Sequence, residues 1–197
     1  MKKIFVFAIA AALILTAIIG GTVAQATDAN IETQVHATEK VDIAFAGTKL
    51  DTAVKVMPGA SAAKVVKIEN KKASNPAWVW FTVTVPAAGE NPLVTLTGTD
   101  AGWKLLSTKV ENNLCTYTLG YETVLAADTT TTAGITDLEF AGQIDYFDGA
   151  YHWVVNGQAA PIQMAKNDFF VYFDAYAVDQ TAGSTVEEAC AAITQTP

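Results

Sequence analysis

The residues that could perform acid–base or nucleophilic chemistry are few in this chain of 197 residues. Its two histidines, His36 and His152, lie far apart, and neither belongs to an H-E-x-x-H pair. A catalytic zinc takes three protein ligands, often two or three of them His, so such a site would need both imidazoles together. The sequence also contains no serine-nucleophile motif such as G-x-S-x-G. We therefore expect no enzymatic activity and no cofactor.

The two cysteines, Cys115 and Cys190, could form one disulfide in an exported protein. The bond would close a loop from residue 115 to residue 190 and stabilise the fold by about 4 kcal/mol in the chain-entropy model. It would also tie a helix near the C-terminus to a strand. The alternative is two unpaired thiols that pack as small apolar side chains. Both alternatives fit the sequence.

Four carboxylates lie within twelve residues, and Ca²⁺ binds clustered oxygen ligands of this kind. They are Asp137, Glu139, Asp145 and Asp148. Their spacing fits no EF-hand loop, and acidic side chains on solvated loops are the alternative. We regard them as weak calcium candidates and expect no other metal site.

Several aromatic residues could form a flat surface on which a carbohydrate stacks. They are Trp78, Trp80, Trp103, Tyr151 and Trp153. Core packing and contacts between subunits account for the same residues equally well. Exposure of Trp78 and Trp80 on one open face would favour a glycan, whereas a groove covered by a neighbouring strand would favour a fibre.

The charge of the chain excludes a basic nucleic-acid interface. It has twelve Lys, no Arg and twenty acidic residues, for a formal net charge of −8, and so cannot neutralise a run of phosphates. The charges are uneven, because residues 27–109 carry nine Lys and eight acids while residues 110–197 carry one Lys and twelve acids. This asymmetry could favour head-to-tail packing of subunits, although a solvated acidic surface is the simpler interpretation.

The first 26 residues have the pattern of a secretory signal peptide. Lys2 and Lys3 precede an apolar run over residues 4–19, and Ala24 and Ala26 occupy the −3 and −1 positions of a cleavage site before Thr27. The alternative is an uncleaved anchor, but sixteen residues fall short of the roughly 20 that span a bilayer. We expect cleavage by a signal peptidase and a protein located in the extracellular matrix or at the cell surface.

The remaining elements that would position these residues are mainly strands. Apolar residues alternate with polar ones, and Thr and Val are frequent, which favours a pleated surface. Strands are predicted over residues 41–46, 63–69, 77–85, 93–97, 103–107, 114–119, 143–147 and 169–178. Ser184 is predicted to cap one helix with Glu187 at its third position, and a second short helix is considered over residues 122–127. The predicted fold is all-β, an antiparallel jelly roll or β-sandwich over residues 41–197.

Several segments, taken in order, resemble one family of exported proteins. The segments are Gly20-Gly21-Thr22 after the apolar run, Pro58-Gly59, Val65-Val66-Lys67-Ile68-Glu69-Asn70, Asn75-Pro76-Ala77-Trp78-Val79, Tyr121-Glu122-Thr123-Val124-Leu125 and Ala175-Tyr176-Ala177-Val178-Asp179-Gln180. Together they resemble the conserved blocks of the TasA/CalY (camelysin-like) family of biofilm-matrix fibre proteins. The resemblance implies a jelly-roll subunit whose N-terminal strand completes the sheet of the next subunit.

Residues 27–40 are the candidate assembly strand. Ile31, Thr33, Val35 and Ala37 alternate with polar residues, and the segment would be freed by cleavage before Thr27. An extended segment of this kind adds to a sheet edge by backbone hydrogen bonds while alternate side chains fill a groove. The alternatives are a disordered tail, a strand paired within its own domain, or a helix face that includes Ile31 and Val35.

The predicted function is therefore a secreted structural subunit that polymerises with itself by donor-strand complementation. Other matrix proteins are further candidate partners. The first alternative is a monomeric cell-surface adhesin or a module that binds glycan or calcium. Because members of this family have been described as proteases, a camelysin-type protease is a further and weaker alternative.

Overall fold

The structure, a computed structural model, describes residues 27–48, 50, 52–162, 164 and 169–194. The predicted signal peptide, with Ala24 and Ala26, lies outside the described residues. Thr27, the predicted first residue after cleavage, is the first residue described.

The described chain forms fifteen strands and one α-helix. The strands are β1 (Thr27–Ala37), β2 (Ile43–Gly47), β3 (Val54–Val56), β4 (Ser61–Asn70), β5 (Ala77–Ala88), β6 (Asn91–Pro92), β7 (Val94–Thr97), β8 (Trp103–Glu111), β9 (Leu114–Tyr121), β10 (Thr129–Thr130), β11 (Ile135–Phe140), β12 (Ile144–Phe147), β13 (Ala150–Val155), β14 (Gln158–Pro161) and β15 (Phe170–Asp179). A short 3₁₀ turn (Gln180–Ala182) precedes the helix α1 (Val186–Thr194).

The strands form three sheets. A seven-stranded sheet has the order β3-β1-β15-β5-β9-β8, with β6 paired to β5. A five-stranded sheet has the order β10-β4-β11-β7, with β2 paired to β4, and β12-β13-β14 form a third sheet of three strands. The all-β class predicted from the sequence is confirmed.

One pair of strands departs from the predicted antiparallel arrangement. β1 pairs with β15 in parallel, from Asn30 opposite Phe170 to Ala37 opposite Ala177, while the other registers between described strands are antiparallel. Parallel neighbours need a long connection between them. Here that connection is nearly the whole domain.

The main core draws inward-facing side chains from all three sheets. Phe81 on β5, Phe173 on β15, Ile68 on β4 and Leu138 on β11 are fully buried in one cluster. Alternation along each strand places these apolar side chains on one face, as period-2 geometry requires. Gly134 lies against this core, because a Cβ at that position would stand 2.3 Å from Phe81 Cε1.

A second, smaller cluster lies on the opposite face of the seven-stranded sheet. Trp78 and Trp80 project there from β5 and are covered by Val186 and Ala189 of α1. The indole N–H of Trp78 donates hydrogen bonds to the backbone carbonyls of Gln180 and Gly183, at 3.2 and 3.0 Å. The helix is therefore held on the sheet by an apolar face and by the turn that precedes it.

The helix begins one residue later than the predicted cap implies. Thr185, rather than Ser184, accepts the hydrogen bond from the backbone N–H of Glu188, at 3.3 Å. The Glu188 carboxylate in turn accepts from the backbone N–H of Ser184, at 2.8 Å. The cap is therefore Thr185, and the return hydrogen bond to Glu188 comes from the residue before the cap rather than from the cap itself as in a capping box. Residues 122–127 contain no helix; Leu125 instead forms a backbone bridge with Ala77. No helix in the described part of the chain is both long and apolar enough to cross a bilayer.

Candidate functional site

The N-terminal strand β1 lies in the seven-stranded sheet of its own chain. Eight consecutive residues, from Asn30 to Ala37, lie in register with β15. At its other edge, Thr27 to Ala29 pair with the three residues of β3. The sequence left four arrangements open for residues 27–40: an assembly strand, a disordered tail, a strand paired within its own domain, or a helix. The structure has the strand paired within its own domain.

The predicted assembly residues lie on one face of β1. Ile31, Thr33, Val35 and Ala37 are opposite the inward-facing residues of β15 in the parallel register. Ile31 is half-buried against the main core, whereas the other three are exposed, Val35 at 45%. The strand is thus anchored by its first half, where Ala29 is fully buried, and lies on the surface along its second half.

Strand β3 depends on β1 for its place in the sheet. Among the described strands, β3 pairs with β1 alone. Val56, opposite Thr27, is buried in the main core. Thr27 to Ala29 pair with β3, and Asn30 to Ala37 pair with β15. Removing β1 would therefore open the edge of β15 and leave β3 without a partner among the described strands, and the acceptor slot is the space that β1 vacates between these two strands.

On the outer face of the sheet, a ladder of aromatic rings ties β1 to its neighbours. The ring of His36 stacks on that of Tyr176 with centroids 4.8 Å apart, and Tyr176 stacks on Trp80 at 5.5 Å. His36 Nε2 also lies 3.5 Å from a carboxylate oxygen of Asp174. Burial, followed by the Asp174 charge, raises the pKa of the Tyr176 hydroxyl, so this group is protonated at neutral pH. Ring stacking contributes about 0.5–1.5 kcal/mol beyond the buried area.

The loop that joins β1 to β2, residues 38–42, is held by backbone hydrogen bonds. The Thr38 N–H donates to Ala177 O at 3.2 Å, and the Asn75 N–H donates to Lys40 O at 2.9 Å. Lys40 has a left-handed backbone conformation with φ of 68°, which is uncommon for a residue other than glycine. This is the segment whose conformation would have to change if β1 left its own sheet.

The sequence left Cys115 and Cys190 either paired or unpaired, and in the structure both are free thiols. Cys115 belongs to the main core, whereas Cys190 packs with the α1 cluster, so the two lie on opposite faces of the seven-stranded sheet. The structure has the arrangement of two unpaired thiols, with Cys115 buried and Cys190 half-buried. Burial raises the pKa of both thiols.

The weak calcium candidates do not form a site. Among the residues that the structure describes, no group of three or more His, Cys, Asp or Glu could hold a metal ion. Asp137 and Glu139 lie on β11, whereas Asp145 lies on β12 and Asp148 in the turn that follows it. Asp137 and Asp145 accept hydrogen bonds locally, from Thr136 at 2.6 Å and from the Tyr146 N–H at 2.8 Å. Proximity in sequence was misleading because the residues belong to different strands.

The five aromatics singled out in the sequence do not share one open face. Trp78 and Trp80 are covered by the chain's own helix, and Trp103 and Tyr151 are buried in the main core. Of the five aromatics, Trp153 is the one that stays half-exposed. Neither an open platform nor a groove awaiting a neighbour's strand is present at Trp78 and Trp80.

The two histidines have unrelated surroundings. His36 contacts Asp174 and Tyr176 on the seven-stranded sheet. His152 stacks on Phe147 at a centroid distance of 3.8 Å within the three-stranded sheet, and its Nδ1 lies 3.1 Å from the backbone carbonyl of Ala150.

The sequence indicates an extended segment over residues 27–40 but does not indicate the strands beside which it lies. β15 and β3 receive β1, and neither was predicted to do so. The apolar pattern of residues 169–178 on both faces did indicate a strand covered on both sides, and this signal could have marked β15 as central. No pattern in the sequence indicates pairing between segments so far apart.

Comparison with known proteins gives no relative: the chain matches no family model, no curated protein and no solved structure.

Proposed function

We propose that this protein is a secreted structural subunit of extracellular biofilm-matrix fibres, and that its subunits polymerise head to tail by donor-strand complementation. The signal-peptide pattern before Thr27 and the resemblance to the TasA/CalY (camelysin-like) family support the extracellular role. In this proposal the domain over residues 41–197 is a jelly roll that β1 completes. The position of β1 between β15 and β3 is the observation that carries the proposal.

Strand exchange retains every contact that β1 makes. The eight register pairs with β15 and the three with β3 are satisfied equally by β1 of the same chain or of another copy. Domain swapping of this kind is a low-cost route to association. The free-energy difference between the closed monomer and the filament then depends on the loop over residues 38–42 and on the entropy of association.

The exchanged contact would be heterologous, because it joins β1 of one subunit to β15 of another. Such a contact generates an open filament when the rotation between subunits does not close a ring. The uneven charge also favours this direction, since residues 110–197 have one Lys and twelve acids while residues 27–109 are nearly balanced. The partners in this proposal are other copies of the chain, a signal peptidase during export and other matrix proteins, and the role is structural rather than catalytic.

The experiment compares two purified forms by electron microscopy, one that begins at Thr27 and one that begins at Val41. Filaments from the longer form alone are the expected result. Filaments from both forms would refute the role of β1, and the absence of filaments from both would refute unaided self-assembly.

A peptide of residues 27–40 makes the test independent of whether the shorter form folds alone. We expect this peptide to bind the Val41 form and to raise its unfolding temperature. A matched peptide with Ala29→Asp is the control, because it places a charge where Ala29 is fully buried. Equal binding of both peptides would contradict the acceptor slot between β3 and β15.

A further inference from the structure

Two clefts lie beside the three-stranded sheet and share one tryptophan. The first, of about 480 Å³, lies between the β5–β6 turn and β14 and is lined by Trp153, Asn113 and Pro161 among others. The second, of about 420 Å³, lies between β6, the end of β11 and β13 and is also lined by Trp153. Both volumes fall in the range of small-molecule sites, about 300–1,000 Å³.

Trp153 differs from the other three tryptophans in its exposure. Trp78, Trp80 and Trp103 are 7%, 3% and 6% exposed, whereas Trp153 is half-exposed. The indole N–H of Trp103 donates to the Thr132 carbonyl at 2.9 Å. Trp153 packs against the main core and is partly exposed, and an indole combines an apolar ring with an N–H donor.

The polar side chains of the second cleft are mostly uncharged. Asn91, Gln143 and Thr95 line it, and Glu139 is the one ionisable residue among its described lining residues. Side-chain amides carry both a donor and an acceptor, and a hydroxyl does the same. The first cleft adds Asn113 and no ionisable residue among those that line it.

We propose that these clefts bind a neutral carbohydrate chain across Trp153. Sugars present an apolar ring face and hydroxyl groups that both donate and accept, which matches an indole flanked by amides and a carboxylate acceptor. An anionic ligand does not fit, because no cationic residue lines either cleft in the described chain. This site is separate from β1 and does not depend on strand exchange.

The test uses the mature chain from Thr27, labelled with ¹⁵N at its tryptophans and separated from any filaments by gel filtration, and follows the four indole N–H signals of the monomer by NMR. The probes are cellohexaose, maltohexaose and N-acetylglucosamine hexamer, with oligogalacturonate as the anionic comparison. We expect at least one neutral probe to shift the Trp153 signal with a Kd of about 1 mM or tighter, while the signals of the three buried tryptophans stay in place. No shift with any neutral probe, or an equal shift with oligogalacturonate, overturns the proposal.

Variants separate recognition from folding. Trp153→Ala should weaken binding by about tenfold or more, and Gln143→Ala should weaken it without removing core side chains, since Gln143 is exposed. Tyr172→Ala is the matched control, because Tyr172 is a half-buried aromatic on the seven-stranded sheet, outside both clefts. The site is overturned if Gln143→Ala binds as tightly as the parent and if Trp153→Ala and Tyr172→Ala lose binding affinity to the same extent. That result would show a non-specific effect.

Discussion

A disulfide that ties β1 to β15 within one chain would block strand exchange while leaving the fold complete. Gln34 and Asp174 are partners in the parallel register, and neighbouring strands bring Cα atoms within the range that a disulfide bridges. Gln34 is exposed, and the Asp174 side chain is 24% exposed on the outer face. The variant Gln34→Cys/Asp174→Cys is made with Cys190→Ala, so that the thiol on the helix cannot pair with either new one.

The bond should make the closed monomer considerably more stable. It closes a loop of about 140 residues, which corresponds to about 5 kcal/mol in the chain-entropy model. Replacing Asp174 also removes its contact with His36, in the oxidised and the reduced form alike. The oxidised form should therefore be more stable than the reduced form by about 5 kcal/mol, measured as an increase in the urea midpoint.

The assay is filament formation by the oxidised and reduced forms of this same variant, followed by sedimentation and electron microscopy. We expect no filaments while the bond is intact and filaments once it is reduced. The Gln34→Cys single variant should assemble under both conditions, which controls for the redox reagent. Filaments of equal length and yield from the oxidised double variant would refute strand exchange and would indicate that closed subunits dock as rigid bodies.

Three further substitutions test the packing described above. His36→Ala should lower stability by about 1 kcal/mol and speed hydrogen exchange of β1 amides, because the stack on β15 is lost; His152→Ala, in another sheet, should leave that exchange unchanged. Gly134→Ala should lower the free energy of unfolding by about 1–3 kcal/mol, because the new methyl group overpacks the core; thermal unfolding measures this loss. Gly142→Ala is the control and should lower it by less, because the nearest atom would be 3.9 Å from the new Cβ. Burial, with smaller effects of neighbouring charges, raises the pKa of Tyr151 to about 12, whereas tyrosine in the unfolded chain has a pKa of about 10. Protonated Tyr151 therefore contributes fully to the free energy of unfolding below about pH 10, and this contribution is lost as the pH rises towards 12. The Tyr151 hydroxyl is buried without a hydrogen-bond partner among the described residues, so Tyr151→Phe should be at least as stable as the parent at pH 7. The variant should also lose less stability than the parent between pH 10 and pH 12, as measured by urea titrations.

The strands of the core could be predicted because their pattern is local. Alternation over residues 77–85 predicted β5, and the two-sided apolar run over residues 169–178 predicted β15 as a covered strand. Period-2 patterning reports which side chains share a face. It does not report which strand lies alongside, and the parallel pairing of β1 with β15 was therefore not predicted.

The candidate site residues are dispersed for a related reason. Asp137 and Asp148 are near in sequence, but strands separate them, whereas Cys115 and Cys190 are separated by the thickness of a sheet. The tryptophans alternate correctly on β5, yet the sequence did not show that α1 would cover their face. Composition gives the number of chemical groups available, and only the tertiary arrangement decides which of them meet.

The parallel pairing of β1 also has a consequence for the timing of biogenesis. Asn30 and its partner Phe170 are 140 positions apart, so a ribosome completes β1 long before it reaches β15. At about 5–20 residues per second, the first strand waits on the order of 10 s for its own partner. If the chain is exported and exchanges strands as proposed, β1 is free during this interval and available to a preceding subunit. Slow elongation should then favour capture of β1 by a neighbour.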